Sequence, residues 1–303
     1  REPFQLRFDF LFQDLPYPPP AFWDFTFIDL FAGIGGFRLA FQSVGGKCVF
    51  SCEWDKYAKQ TYEANFGEVP YGDIRNIVKS EIPDHDILCA GFPCQPFSLA
   101  GVSKKKSLGR KHGFEDETQG TLFFEIKEIL RIKRPKAFML ENVKNLLSHD
   151  KGKTFEVIRH SLEDQLGYTI AWKVVDGVKW VPQHRERIFI IGFDPKQIQI
   201  RKEEISIPDS PAADYLYSEL KTIIKNVVDG HTLGPGTWDT LQRHKAYHAK
   251  QGNGFGYGIH RLPIKYGEVT RTMSARYHKD GAEILVEQKN DRPRRLTIQE
   301  AMQ

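Results

Sequence analysis

Cys94 is the residue of this sequence whose surroundings point most directly to chemistry. It follows a short apolar run and stands between two prolines, in Gly91-Phe92-Pro93-Cys94-Gln95-Pro96. Proline fixes the backbone dihedral φ, so the flanking prolines can hold the thiol toward a pocket. A thiolate is a strong nucleophile, and nearby cations lower the pKa of a thiol so that the thiolate is populated. Cys94 is therefore a candidate nucleophile, and the alternative is a small buried apolar residue.

A glycine turn, Gly33-Ile34-Gly35-Gly36, separates an apolar run from residues at helical spacing. Glycines at such a turn let the backbone approach a ligand, and the amides of the following helix N-terminus point toward it. The dinucleotide-binding pattern requires a third glycine three residues after Gly35, but Arg38 stands at that position. The turn therefore predicts a ligand site and argues against an NAD enzyme.

Acidic residues follow the next two elements of the chain. Glu53 and Trp54 come after the second apolar run, and Asp73 and Ile74 come after a third short element. An acid at the end of a second strand can accept hydrogen bonds from ribose hydroxyls. Trp54 can stack on adenine, and Asp73 with Ile74 can contact its amino group and ring face. Each residue alone fits a capping or core role, but together at successive strand ends they predict a nucleoside site.

These residues need a scaffold of alternating strands and helices. The predicted strands are Thr26–Phe31, Lys47–Cys52, Asp86–Ala90, Ala137–Leu140 and Ile188–Phe193, with a helix near Thr121–Lys133. The alternation predicts an α/β fold, a doubly wound and mostly parallel Rossmann-like sheet with ligands at the carboxyl ends of its strands. We expect an N-terminal arm at residues 1–25, a catalytic domain at 26–195, a smaller loop-rich domain at 196–290 and a return to the catalytic domain at 291–303.

Composition excludes several classes of protein. The chain has 303 residues, a net charge of +4 and four cysteines without histidines at zinc spacing, so we expect no metal site. No run approaches the ~20 apolar residues that cross a bilayer, and no signal sequence is recognisable, so we expect a cytoplasmic protein without a membrane partner. Two basic clusters, around Lys104–His112 and Arg292–Arg295, are either solvated charge runs or contacts to an anionic partner.

Several segments match one known family. FIDLFAGIGGF, EWD, GDI, GFPCQPFS, ENV and QHRER occur in this order between Phe27 and Phe193, and RPRRLT follows near the end. In these segments the chain resembles the DNA (cytosine-5)-methyltransferase family, and GNGFGYG and TRTMSARYHKDGAEIL are similar to the bacterial Dcm type. GFPCQPFS followed by ENV and QHRER is the most specific part of this resemblance. The family's usual last block, with a Gly-Asn-Ser-Val core that closes the cofactor pocket, does not occur in these residues.

The resemblance implies methyl transfer from S-adenosylmethionine to carbon 5 of a cytosine flipped out of double-stranded DNA, with S-adenosylhomocysteine as product. Cys94 would add to carbon 6, and Glu141 would share a proton at the N3 edge of the ring. Arg185 would contact the cytosine carbonyl and brace the thiolate, and Arg187 would order Glu141 or the Cys94 loop. The implied cofactor-binding residues are Asp29, Phe31, Gly33, Ile34, Gly35, Gly36, Glu53, Trp54, Asp73, Ile74 and Pro93.

Two parts of the chain would contact DNA. Residues 98–120 would form a glycine-hinged lid that closes over the site. Residues 196–290 would be the target-recognition domain. The expected contacts are Ser98, Lys104, Lys105, Lys106, Arg110 and Lys111 in the lid, and Arg271, Thr272, Arg276 and Lys279 in the recognition domain. Likeness to the Dcm type suggests the inner cytosine of CCWGG as the target, where W is A or T.

Two other functions stay open from the sequence. One is a tRNA cytosine-5 methyltransferase on the same fold, and the other is a DNA-binding subunit without activity, because the last family block is absent. The large second domain favours DNA over tRNA, and the cysteine, glutamate and arginines favour an enzyme. We expect a monomer, and a cognate restriction endonuclease would act on the same site without binding this chain.

Overall fold

The chain divides into two units. The computed structural model describes residues 15–93, 122–226, 228, 230–252, 257–274, 277–289 and 291–303. Unit 1 comprises Arg1–Val174 and Arg187–Ile207, and unit 2 comprises Val175–Glu186 and Pro208–Gln303. Within the described ranges, no helix is long and apolar enough to cross a membrane.

Unit 1 is built on a six-stranded sheet with the order β2-β1-β3-β4-β6-β5. In chain order its elements are β1 (Phe25–Leu30), α1 (Gly36–Ser43), β2 (Gly46–Cys52), α2 (Lys56–Phe66), β3 (Ile87–Gly91), α3 (Leu122–Lys133), β4 (Ala137–Val143), α4 (Lys153–His160), β5 (Thr169–Asp176) and β6 (Glu186–Phe193). Short 3-10 turns of unit 1 are Ile74–Asn76, Lys79–Glu81, Lys144–Leu147, His149–Gly152 and Lys202–Glu204, and a π turn, Ser161–Gln165, follows α4. A further 3-10 turn, Gly177–Lys179, lies in unit 2. The first four strands are parallel, and β6 runs antiparallel to β4.

Burial on both faces explains why the inner strands read as apolar runs. The middle of β3, Leu88-Cys89-Ala90, is fully buried, as are Phe27, Ile28 and Leu30 in β1. Strands in such a sheet need helices on both faces. Helix α3 supplies one cover, because its buried residues Phe123, Ile126, Ile129 and Leu130 recur at helical spacing. The carboxyl ends of β1 to β4 therefore meet at one edge of a rigid core.

The predicted α/β class is confirmed, and the five predicted strands are present with ends shifted by up to three residues. One strand interpretation was wrong. The third element pairs with β2 only through an isolated bridge between Tyr71 and Cys52, and Asp73 then caps a 3-10 turn. Helix α4 and strand β5 were not predicted, although Phe155 and Ile158 stand at helical spacing and Ile170, Trp172 and Val174 alternate along the strand.

The domain boundaries differ from those predicted. Unit 1 extends to Ile207 instead of residue 195, and unit 2 also contains Val175–Glu186. Residues 291–303, predicted to return to the catalytic domain, lie in unit 2. The described part of the N-terminal arm contacts unit 1, where the amide of Tyr17 donates to the carbonyl of Asn65 at 3.1 Å.

Unit 2 contains a three-stranded sheet with the order β7-β8-β9. Its elements are α5 (Leu220–Ile223), α6 (Pro235–Lys250), β7 (Ile259–His260), α7 (Tyr277–Asp280), β8 (Leu285–Gln288), β9 (Asp291–Arg294) and α8 (Ile298–Ala301). The buried guanidinium of Arg294 donates to both carboxylate oxygens of Glu300 at 2.8 Å and to the carbonyl of Lys225 at 2.7 Å. In the basic cluster Arg292–Arg295, Arg294 is therefore a core residue rather than a solvated charge.

Gly192 permits close packing between β4 and β6. It stands opposite Phe138 in the antiparallel pair, and a Cβ at this position would lie 2.2 Å from the Phe138 ring. We predict that Gly192→Ala lowers the free energy of unfolding by about 1–3 kcal/mol, because overpacking displaces a buried ring. Urea denaturation followed by fluorescence measures this change. Gly36→Ala is the matched control, since nothing lies within 4 Å of its added Cβ; equal losses in both variants would contradict the prediction.

Candidate cofactor and catalytic site

A cavity of about 370 Å³ opens at the carboxyl ends of β1, β2 and β3. The strand order changes direction here, because β1 is followed by β2 on one side and by β3 on the other. Such switch points form ligand crevices in doubly wound sheets. The lining residues are Phe31, Cys52, Glu53, Trp54, Gly72, Asp73, Ile74, Arg75, Gly91, Pro93 and Leu122.

Glu53 links the first two strand ends. One of its carboxylate oxygens accepts the amide of Gly33 at 2.8 Å, and the other accepts the amide of Asp55 at 2.8 Å. The residue is 8% exposed. Each carboxylate oxygen can accept more than one hydrogen bond. Glu53 therefore fixes the glycine turn and can still accept hydrogen bonds from hydroxyl groups in the cavity.

The glycine turn is also packed against helix α2. Gly35 has φ 95°, and a Cβ there would lie 2.2 Å from the ring of Phe66. The guanidinium of Arg38 lies 5.1 Å from the centre of that ring and donates to both oxygens of Glu68 at 2.9 Å. Arg38 is fully buried. A side chain at this position would be strained at the positive φ and would clash with the Phe66 ring, so the turn requires glycine here.

Asp29 is a buried carboxyl group beside the turn. It is fully buried, and neither oxygen forms a hydrogen bond with a described residue. Burial raises its pKa to about 7, and the nearby amide of Arg38 only partly offsets this effect. Asp29 does not line the cavity.

Asp73 and Trp54 lie on the wall of the cavity. Asp73 forms an ion pair with Arg75, and hydrogen bonds from this arginine hold the pKa of the Asp73 carboxyl below its usual range. Asp73 is therefore an ionised acceptor. Trp54 is 71% exposed, so its ring face is accessible for stacking on a planar group.

Six of the eleven predicted cofactor-binding residues line the cavity: Phe31, Glu53, Trp54, Asp73, Ile74 and Pro93. Asp29, Gly33, Ile34, Gly35 and Gly36 do not, although the amide of Gly33 reaches the cavity wall through Glu53. Five lining residues were not predicted. Gly72 and Gly91 stand in the quoted motifs and Cys52 and Arg75 flank them, whereas Leu122 has no sequence signal.

Glu141 and Arg187 form an ion pair at the ends of β4 and β6. Nε of Arg187 lies 2.7 Å from a carboxylate oxygen of Glu141, and both side chains are mostly buried. Glu141 stands opposite Gly91 in the β3–β4 pair. The pair therefore lies beside the strand whose chain continues to Cys94 three residues later.

Asn142 was not predicted. It is buried, and its amide nitrogen donates to the carbonyl of Phe92 at 2.9 Å. This bond holds the segment that leads from β3 to Cys94. The ENV motif contains the residue, but sequence alone gave it no role.

Several predicted site residues lie outside the described residues: Cys94, Ser98, Lys104, Lys105, Lys106, Arg110, Lys111 and Arg276. The other predicted residues near DNA are in unit 2. Thr272 donates to the carbonyl of His184, while Arg271 and Lys279 are exposed. Arg185 also belongs to unit 2, and its amide donates to Asp176 at 2.9 Å. Among the described residues, no group of three or more potential ligands could hold a metal ion.

Burial raises the pKa of the thiol in each of the three described cysteines. Cys48, Cys52 and Cys89 are free and buried. Burial raises the pKa of Cys52 to about 12 and that of Cys48 to about 11, and it raises the pKa of Cys89 as well. A thiol must ionise to act as a nucleophile. Cys52 lines the cavity but stays protonated, so it fits a wall residue rather than a catalytic one.

The size and lining of the cavity suit a small ligand with a planar group. Its volume lies within the range of roughly 300–1,000 Å³ typical of pockets for small ligands. It combines two carboxylates, Glu53 and Asp73, with the aromatic faces of Phe31 and Trp54. This set of acceptors and flat apolar surfaces suits hydroxyl groups and a planar base.

Solved structures share this fold. The Dnmt2 methyltransferase of S. pombe aligns with a TM-score of 0.65 and 14% identity, over 91% of this chain and 85% of that chain. The comparison therefore confirms a Rossmann-like α/β fold for this chain.

The family follows from sequence comparison. The family model for C-5 cytosine-specific DNA methylase matches residues 25–303. The chain is 44% identical to the DNA-cytosine methyltransferase of Escherichia coli K12, over 94% of this chain and 70% of that protein. It is 50% identical to the Type II methyltransferase M1.ScrFI of Lactococcus lactis subsp. cremoris, over 91% of this chain and 68% of that protein. The chain therefore belongs to the C-5 cytosine-specific DNA methylase family, and the predicted family and enzyme class are confirmed.

The raised pKa of Asp29 predicts a pH-dependent stability. Its folded-state pKa of about 7 exceeds the usual 3.8, so between these values the folded protein holds a proton that the unfolded chain has released. The free energy of unfolding should therefore fall as the pH rises through this window, by up to ~1.4 kcal/mol per pH unit. Asp29→Asn removes this contribution. Urea denaturation of both proteins at pH values from about 5 to 8 tests this linkage; a constant difference between the proteins across that range would contradict it.

Proposed function

We propose that this enzyme transfers the methyl group of S-adenosylmethionine to carbon 5 of a cytosine that is flipped out of a specific duplex DNA site. The ion pair between Glu141 and Arg187, beside the strand that leads to Cys94, is the observation that carries this proposal. It puts a fixed carboxyl group next to the segment of the candidate nucleophile. Membership of the C-5 cytosine-specific DNA methylase family supports cytosine as the target base and carbon 5 as the methylated atom.

The cavity at β1–β3 is the proposed cofactor site. When bound, S-adenosylmethionine supplies an electrophilic methyl group. Glu53 would accept hydrogen bonds from the ribose hydroxyls, and Asp73 would accept one from the adenine amino group. Phe31 and Trp54 would contact the faces of the adenine ring. The glycine turn and Pro93 would limit the space around the rest of the molecule.

Cys94 would start the reaction. Its thiolate adds to carbon 6 of cytosine, which breaks the double bond between carbons 5 and 6 and moves electron density toward N3. Glu141 would share a proton at N3 and so stabilise that charge. Arg187 fixes the orientation of the Glu141 carboxyl group, and Arg185 would contact the cytosine carbonyl. After methylation, loss of the carbon 5 proton to water and departure of the Cys94 sulfur would restore the ring.

DNA would contact the chain outside the cavity. A base inside a duplex is inaccessible, so it must be extruded at a cost of a few kcal/mol. The basic segment at residues 98–120 would close on the phosphates, and unit 2 would read the sequence. The tRNA alternative is less well supported, because the most similar relatives reported above are DNA methyltransferases and unit 2 provides a second domain for reading a duplex.

We predict that Cys94→Ser abolishes methyl transfer, because a hydroxyl is not ionised near neutral pH and is a weak nucleophile. DNA binding should stay within about tenfold, since phosphate contacts dominate affinity. Transfer of labelled methyl groups to duplex DNA and to tRNA measures the loss and identifies the substrate. DNA with 5-fluorocytosine at the target should trap the native protein covalently, and the serine variant should not be trapped. Undiminished turnover by the serine variant would contradict the proposed role of Cys94 as the nucleophile.

The target sequence is predicted separately. Likeness to the Dcm type leads us to expect the inner cytosine of CCWGG to be methylated. Bisulfite sequencing of a plasmid treated with the protein and S-adenosylmethionine maps every protected cytosine. Protection outside CCWGG would refute this target while leaving the proposed reaction intact.

A further inference from the structure

Unit 2 contains a cavity that the proposed reaction does not use. Its volume is about 570 Å³, and its lining includes Lys245, His260, Arg261, Arg271 and Glu287. All lining residues belong to unit 2. The cavity is therefore a feature of one unit, and its charged lining suits a polar ligand.

Two residues of opposite charge line this cavity. Strands β7 and β8 are parallel, with Ile259 opposite Leu285 and His260 opposite Val286. Arg261 directly follows β7, and Glu287 follows Val286 in β8. Both Arg261 and Glu287 are exposed.

The backbone beneath this pair is held firmly. The imidazole of His260 bonds to the carboxylate of Glu268 at 2.6 Å, and that carboxylate also accepts the amide of Lys265 at 3.2 Å. A Cβ at Gly258, just before β7, would lie 2.7 Å from the carbonyl oxygen of Glu283. The strands therefore cannot shift without breaking a buried hydrogen bond or a close packing contact. A fixed support of this kind is what a recognition side chain requires.

Arg261 and Glu287 do not neutralise each other. Neither side chain forms a hydrogen bond or an ion pair with any residue in the described part of the chain. Here the guanidinium keeps its full set of donors, and the carboxylate keeps its full set of acceptors. Both groups are thus available to one external ligand.

We propose that Arg261 and Glu287 together read one G·C base pair in the major groove of the target DNA. The O6 and N7 atoms of guanine are acceptors that match the two-pronged guanidinium, and the N4 amino group of cytosine is a donor that matches a carboxylate. Arg261 directly after β7 and Glu287 in β8 line the same cavity, so one base pair can meet both side chains. The assignment rests on the proposed function, because it names the base pair that unit 2 reads.

The test uses the full chain and a pool of DNA duplexes in which each base pair flanking the target cytosine is randomised. Bisulfite sequencing of the pool after partial methylation gives the preference at every position. We expect Arg261→Ala and Glu287→Ala to lower the preference for G·C at the same single position by roughly 5- to 100-fold. Other positions should keep the preferences of the native protein.

Two further variants distinguish recognition of the base pair from an effect of positive charge alone. Arg261→Lys keeps the positive charge but removes the two-pronged geometry, so it should lose the preference at that position while duplex affinity at fixed salt stays within a few-fold. Arg243→Ala is the matched control, since Arg243 is an exposed arginine of unit 2 that does not line the cavity. It should keep the native preference. Circular dichroism identifies any variant that has not folded.

The outcomes are distinguishable. Unchanged preferences in folded Arg261→Ala and Glu287→Ala would overturn the assignment, as would relaxation at two different positions or equal relaxation in Arg243→Ala. Absence of methylation of any duplex by the native protein would instead contradict the proposed function. Relaxation at one shared position, with Arg261→Lys resembling Arg261→Ala, would support a shared G·C contact.

Discussion

The hydrogen bond from the amide of Gly33 to the carboxylate of Glu53 joins the ends of the first two strands. The amide of Gly33 is partly buried and the carboxylate of Glu53 is nearly buried, and an unsatisfied polar group in the interior costs roughly 1–3 kcal/mol. Their pairing fixes the distance between the glycine turn and the second strand end. The width of the cofactor cavity depends on that distance.

Packing on the other side of the turn completes this constraint. Gly35 lies against Phe66, and the buried Arg38 holds Phe66 and Glu68 together. The buried guanidinium is stable in this interior because Glu68, Gln42 and Tyr62 accept its hydrogen bonds. Helix α2 therefore cannot move away from the turn without breaking the bond from Arg38 to Tyr62. The turn is held by a carboxylate on one side and by a ring on the other.

The same edge of the sheet carries the candidate catalytic groups. Parallel strands bring residues that are distant in sequence to one line, so Glu141 at the end of β4 stands beside Gly91 at the end of β3. Arg187 reaches Glu141 from the antiparallel β6. Unit 2 uses charge differently: Arg294 and Glu300 are paired in its interior, while Arg261 and Glu287 are exposed at its cavity. The buried pair satisfies its own hydrogen bonds, whereas Arg261 and Glu287 lie at the surface.

Local patterns were sufficient for much of unit 1. Apolar runs that end in glycine or acidic residues predicted the five strands, because burial on both faces demands such runs. The motifs around Glu53, Asp73 and Pro93 predicted residues that line the cavity. Helix α4 and strand β5 were missed, although the sequence of each has the apolar spacing of its element. Unit 2 has short strands separated by loops, and its pairing depends on contacts between distant residues.

The sequence by itself determined the class of fold, the family and the identity of the groups at successive strand ends, because these are properties of short segments. Only the tertiary structure decided which groups meet. In the tertiary structure Asp73 caps a 3-10 turn instead of ending a strand. Asn142 donates to the carbonyl of Phe92, and Arg294 pairs with Glu300. These outcomes depend on chain crossings and strand register, which bring together residues that are far apart in the sequence and that no local pattern connects.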